Sequence, residues 1–167
     1  ENVADADVSI ALELLSKGDI KATIQALNNA QKKNDKNPHL YLARGDLFFR
    51  KQNFDNAEAE FNKALELNPN LLVTHIWLGR YHQLRKNIDD AKKHFTIATE
   101  VAPDRAESWI LLASIHFQTG EIDATLRSLQ NAEMHDAEQQ TAELRMANFY
   151  LSANDLLGAR KYLLEAV

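Results

Sequence analysis

Apolar residues recur along this chain at steps of three and four. Tyr41, Gly45, Phe48 and Phe49 form one such run, and Phe54, Ala57, Phe61, Ala64 and Leu65 form the next. The polar triplet Lys51-Gln52-Asn53 separates them. That spacing places the apolar side chains on one face of a helix, so the segment predicts two helices joined by a tight turn. No stretch alternates with period two over a useful length, and no strands are predicted.

The same two-helix pattern returns every 34 residues. Ala30, Ala64, Ala98, Ala132 and Ala166 keep that spacing without a slip, as do Leu27, Phe61, Phe95, Leu129 and Leu163. A third column is Ile20, Phe54, Ile88, Ile122 and Leu156. Two columns stay small or nearly so: Ala11, Gly45, Gly79, Ala113, Ala147 and Thr23, Ala57, Ala91, Thr125, Ala159. The repeats are therefore 4–37, 38–71, 72–105, 106–139 and 140–167, the last six residues short, within one domain over 1–167. Each is read as an antiparallel pair, helix A then helix B. Gly18 and Gly120 fall in the A–B turn, where a left-handed residue ends helix A at little steric cost. Pro69 and Pro103 fall between repeats and stop helix B. Asn37-Pro38 reads as an N-cap followed by proline in the first turn.

Small residues let helix backbones approach, and the bulky columns fill the gaps left. One pair cannot bury both of its faces, whereas stacked pairs share a continuous core. With 45% hydrophobic and 26% charged residues the chain is not of disordered composition. It has no Cys, hence no disulfide framework and no thiolate metal site. Nineteen basic residues against 24 acidic argue against nucleic-acid binding by charge. No apolar run approaches the roughly 20 residues of a membrane span.

The pattern resembles the tetratricopeptide repeat. His75-Ile76-Trp77-Leu78-Gly79 leads to Ala91, Phe95, Ala98 and Pro103, and Trp109, Leu112 and Ala113 occupy the family's Trp, Leu and Gly/Ala places. The second repeat matches through Tyr41, Gly45, Phe48, Phe54, Ala57, Phe61, Ala64 and Pro69. The first and fifth repeats depart, with Asp7 and Glu143 where the family often has an aromatic. The resemblance implies an all-α, right-handed superhelical solenoid of antiparallel helix pairs and a non-catalytic protein-binding role. After Tyr162, Leu163, Leu164 and Val167 comes no polar capping helix, so a piece of a longer protein is expected. Leu15-Ser16-Lys17-Gly18-Asp19-Ile20 with Ile24–Ala30 looks like helix pairs of bacterial envelope repeat proteins, including lipoproteins of exopolysaccharide export. That likeness leans bacterial, and leaves an envelope or a cytoplasmic location open.

In this family helix A lines the concave side, where ligand peptides lie. Carried over, the fifth place of each repeat holds Val8, Leu42, Ile76, Ile110 and Leu144. The twelfth holds Leu15, Phe49, Gln83, Phe117 and Leu151, and the ninth Leu12, Asp46, Arg80, Ser114 and Asn148. This predicts apolar rails flanking a polar line. The candidate partner-binding residues are Leu42, Asp46, Phe49, Ile76, Arg80, Gln83, Ile110, Ser114, Phe117, Leu144 and Asn148. The aliphatic ones serve either as ligand anchors or as core between repeats. Asp46 and Arg80, at equivalent places on successive A helices, are candidates to pair with each other. Chaperone-binding members clamp a carboxylate with Lys and Asn, but the matching positions here hold Val8, Leu12, Ala43, Val73 and Trp77. A role with EEVD-type tails is therefore disfavoured. The third repeat is net +2 and the fourth net −5, which reads either as a bipolar surface that orients a partner or as ordinary solvated faces.

Catalytic and metal motifs do not emerge. The five glycines are isolated rather than gathered in a phosphate loop, and neither G-x-S-x-G nor H-E-x-x-H occurs. His82 and His116 are 34 apart and read as packing imidazoles, since no third ligand offers itself. Asp89-Asp90 reads as caps and dipole partners at a helix start. The expectation is thus an interaction scaffold with a protein or peptide ligand, no cofactor, no metal and no nucleic acid. The alternative is a structural spacer or self-associating, homo-oligomeric module of a larger envelope protein.

Overall fold

The computed structural model describes residues 3–135 and, beyond them, Ala147, Tyr150, Asp155, Leu157, Gly158, Arg160 and Lys161. The described residues hold α1 (Val3–Ser16), α2 (Ile20–Lys33), α3 (Pro38–Arg50), α4 (Phe54–Leu67), α5 (Leu72–Leu84), α6 (Ile88–Val101), α7 (Ala106–Gln118) and α8 (Ile122–His135), and no strand. The odd-numbered helices are the A helices. The Ile20/Phe54/Ile88/Ile122 column supplies the first residue of each B helix. The chain divides into two compact units, Glu1–Tyr81 and His82–Val167. In the first, α1 packs on α2, α3 on α4, and α3 on both α1 and α2. In the second, α7 packs on α8 and α6.

Among the described residues the four A–B turns between α1 and α8 are built alike. Gly18, Gln52, Lys86 and Gly120 lie 34 apart and all have positive φ, at 78°, 58°, 62° and 78°. Each donates its N–H three residues back, and the next residue donates five back: Gly18 to Leu15 and Asp19 to Leu14, Gln52 to Phe49 and Asn53 to Phe48. Lys86, Asn87, Gly120 and Glu121 repeat the pair. This left-handed cap satisfies carbonyls that a helix end would otherwise leave open.

A second device recurs at the start of the A helices. Tyr41 Oη donates to the Asp35 carbonyl at 2.6 Å, and Trp109 Nε1 to the Pro103 carbonyl at 2.8 Å. His75 Nε2 lies 2.9 Å from the Pro69 carbonyl, so that nitrogen carries the proton. Each reaches six residues back into the turn between repeats. Asp7, at the same place in the first repeat, is ion-paired to Lys33 at 2.6 Å instead.

Capping follows the expectation at Asn37, whose side chain accepts from His39 N ahead of Pro38. Asp19 caps α2 by accepting from Ala22 N at 3.0 Å. Asp89 and Asp90 do not cap. Asn87 holds that position, without a side-chain bond, and the two aspartates sit inside the first turn of α6, where their charge favours the helix dipole.

The small and bulky columns meet. A Cβ added at Gly45 would lie 2.3 Å from the ring of fully buried Phe61. Ala11 and Leu27 share one core cluster, and Ala113 and Leu129 another. Glycine thus stands where the facing column is Phe, and alanine where it is Leu.

Candidate binding surface

The described fifth-place residues Val8, Leu42, Ile76 and Ile110 expose only 3%, 8%, 7% and 8% of their surface. Leu42 packs with Ala57, Phe61 and Leu78, and Ile110 with Ala113, Leu129 and Ala132. Their place is in the core, and only a thin edge of each is left for a ligand.

In the first unit the twelfth-place Phe49 is half-buried. It meets Phe54 edge-on at 5.2 Å and Trp77 at 4.9 Å, while Trp77 stacks on Phe61 at 6.0 Å. The Arg80 guanidinium lies 6.0 Å from the centre of the Trp77 ring. Asp46 is nearly buried and accepts from Arg50 Nε at 2.8 Å and Nη2 at 3.4 Å. This ion pair lies one turn along its own helix. Also in the first unit, α1 and the start of α3 enclose a cleft of about 440 Å³ lined by Val8, Ser9, Leu12, Pro38 and His39. Ser9, Pro38 and His39 were not among the expected groove residues, because Asn37-Pro38 reads from sequence only as a cap.

In the second unit Gln83, Ser114 and Phe117 are half-buried. Ser114 Oγ donates to the Leu111 carbonyl at 2.7 Å, and Phe117 packs against the Ile110 cluster. Leu144 and Asn148 lie outside the described residues. His82 stacks on His94 at 5.5 Å, whereas His116 turns to Glu121, with Nδ1 3.1 Å from Oε2. Among the described residues no group of three or more potential ligands could hold a metal ion, and no helix is long and apolar enough to cross a membrane.

The opposed charges of the third and fourth repeats are partly spent on each other. Lys92 of α6 donates to both Glu121 oxygens at 2.7 and 2.8 Å, and Thr119 Oγ1 adds a bond at 2.8 Å. These bonds, that from Lys92 foremost, hold the Glu121 carboxyl down at about 2. Burial, reinforced by Lys92, pushes the His116 imidazole below its ordinary range, although Glu121 pulls the other way.

A tetratricopeptide repeat family profile matches residues 8–71 and 78–140. The chain belongs to the tetratricopeptide repeat family. Solved structures share the fold at low identity. MamA (residues 41 to the end) from Desulfovibrio magneticus RS-1 is 17% identical with a TM-score of 0.72, over 99% of this chain and 94% of that one. PilF of Pseudomonas aeruginosa is 17% identical with a TM-score of 0.80, over 98% and 76%. The first repeat domain of Spaghetti (RPAP3), solved bound to an HSP90 peptide, is 21% identical with a TM-score of 0.63, over 72% and 96%. The chain is an all-α solenoid of tandem helix pairs, a class that serves in general as protein-interaction scaffolds.

Proposed function

We propose that this chain is a non-catalytic scaffold that binds a peptide or helix of a partner protein on the exposed faces of its A helices. One observation carries the reading. Phe49, Trp77 and Arg80 form a half-buried aromatic and guanidinium cluster beside the Asp46–Arg50 pair. Trp and Arg in a pre-packed setting are the residue types that dominate binding energy at protein interfaces. The peptide-bound relative supports the same mode by fold analogy. Leu42 and Ile76, buried in the same unit, act here as the packed base beneath the contact residues.

The test compares partner capture by the native chain and by Phe49→Ala and Arg80→Ala variants, with helicity followed by circular dichroism. Each variant is expected to stay helical and to weaken capture by about tenfold or more. Undiminished capture by both would remove the cluster from the binding surface. The alternative, a self-associating envelope module, predicts a mass that rises with concentration in sedimentation; a monomer throughout excludes it.

A further inference from the structure

Glu121 stands at the turn between α7 and α8 and receives donors from two repeats. From the third repeat, Lys92 of α6 donates to Oε1 at 2.7 Å and to Oε2 at 2.8 Å. From its own repeat, Thr119 Oγ1 donates to Oε1 at 2.8 Å, and His116 Nδ1 lies 3.1 Å from Oε2. A carboxylate only accepts, so Nδ1 of His116 carries its proton and Nε2 is the nitrogen left to titrate. Lys92 and His116 therefore share Oε2. The charges that act on the imidazole are Lys92 from α6, Glu121 from the turn and Arg127 from α8. His94 of α6 is stacked on His82. The two donors on Oε2 differ in freedom. The His116 side chain is only 12% exposed, against 34% for that of Lys92. A hydrated ammonium on a four-carbon stem returns to water readily, whereas a packed imidazole does not.

We propose that the shared carboxylate is a proton-operated clasp between the third and fourth repeats, closed by Lys92 and opened when His116 takes up a proton. With His116 neutral, Glu121 serves Lys92 and ties α6 to the α7–α8 turn. With His116 charged, two cations compete for one oxygen, and the freer one leaves. The ion pair then lies inside the fourth repeat, between His116 and Glu121, and α6 keeps only its packing on α7. Glu121 stays ionised throughout, since its carboxyl is held at about 2. Burial and the Lys92 charge put the change of state of His116 below 6.5, so the clasp is closed at neutral pH and opens on acidification. The device is independent of the partner surface on Phe49, Trp77 and Arg80.

The test begins with the native chain. The ring resonances of His116 and the Hε resonance of Lys92 are followed by NMR from about pH 7.5 to about pH 4.5. Both are expected to move with one common midpoint, below 6.5. A His116 ring that does not titrate in that range, or a Lys92 resonance that stays still while it does, would overturn the proposal. The clasp itself is read by a cycle of Lys92→Met, Glu121→Gln and the double variant. Urea unfolding is measured at about pH 7.5 and at about one unit below the His116 midpoint. The Lys92–Glu121 coupling is expected to change the unfolding constant about three- to fivefold at the upper pH and less than about 1.5-fold at the lower. In a His116→Gln background it is expected to persist at both. Coupling absent at the upper pH, equal at the two, or lost just as much in His116→Gln would each count against the clasp. Should a variant fail to fold, the titration of the native chain decides alone.

Discussion

Replacing Gly45 by alanine is expected to destabilise the chain, although alanine is the better helix former. The new Cβ would fall 2.3 and 2.4 Å from two Phe61 ring carbons, in an α3 helix packed on α4. Carbon contacts are comfortable at about 3.5–4.0 Å, so the ring must retreat by more than about 1 Å. It has nowhere to go, because Phe61 is fully buried and stacked nearly parallel on Trp77. Overpacking of this kind costs about 1–3 kcal/mol, and a 2.3 Å approach belongs near the top of that range. The helix-propensity gain of glycine to alanine returns about 1 kcal/mol, leaving a net loss of about 1–2 kcal/mol. Phe61→Leu alone should also destabilise, by about 1–2 kcal/mol, through the space it leaves. Together they recreate the Ala/Leu pairing of Ala11 with Leu27 and Ala113 with Leu129, so the double variant should lose at least about 1 kcal/mol less than the sum. Urea unfolding followed by circular dichroism and by tryptophan emission measures all four corners of the cycle. A Gly45→Ala variant as stable as the native chain, or a coupling below about 0.5 kcal/mol, would refute the steric account.

Glutamine and lysine occupy left-handed positions in two of the four described A–B turns, so Gln52→Gly and Lys86→Gly should each stabilise by about 0.5–1 kcal/mol, and Gly18→Ala and Gly120→Ala should each cost about as much; shifts in urea midpoint of the opposite sign would count against the turn geometry. Trp109→Phe removes the bond to the Pro103 carbonyl and should cost about 0.5–1.5 kcal/mol, read in the same assay. Acidification should weaken the second unit in two steps. His116 is depressed from 6.5, so the unfolded chain takes up its proton first and stability falls as pH drops below that value. Glu121 is held at about 2 against an ordinary 4.5, so a further loss begins below 4.5 and continues toward 2. Unfolding midpoints of the native chain and His116→Gln across pH check both steps. The variant should lose only the upper one, and an unchanged profile would exclude His116.

The helices were legible because the 34-residue period carries its own punctuation. Ile20, Phe54, Ile88 and Ile122 mark the B-helix starts, and Pro69 and Pro103 follow the ends of α4 and α6. The turn conformation was legible at Gly18 and Gly120 but not at Gln52 and Lys86, where nothing in the residue type announces a positive φ. There the hydrogen bonds of the turn override local preference. The binding surface was harder to read because one face of helix A serves both the core and any ligand. Periodicity places Leu42 and Phe49 on that face alike, and only packing shows that the first is buried and the second half open. Pairings across repeats were equally hidden. Lys92 and Glu121 appear in sequence as opposite charges in neighbouring repeats, and the turn at Gly120 brings them together.

The bond that Tyr41, His75 and Trp109 throw back to the preceding turn ends on a main-chain carbonyl each time. Such an acceptor is present whatever residue stands there. A fastener of this kind is indifferent to which repeat precedes it. Deleting residues 38–71 would bring His75 to the sixth position after Asp35, where Tyr41 now stands, and the joint could close without a compensating substitution. The Gly45–Phe61 fit would leave with the excised segment, since both partners lie inside it. Lengthening or shortening by whole periods is therefore mechanically cheap for this chain, while a cut at any other interval would break a turn and a fastener together.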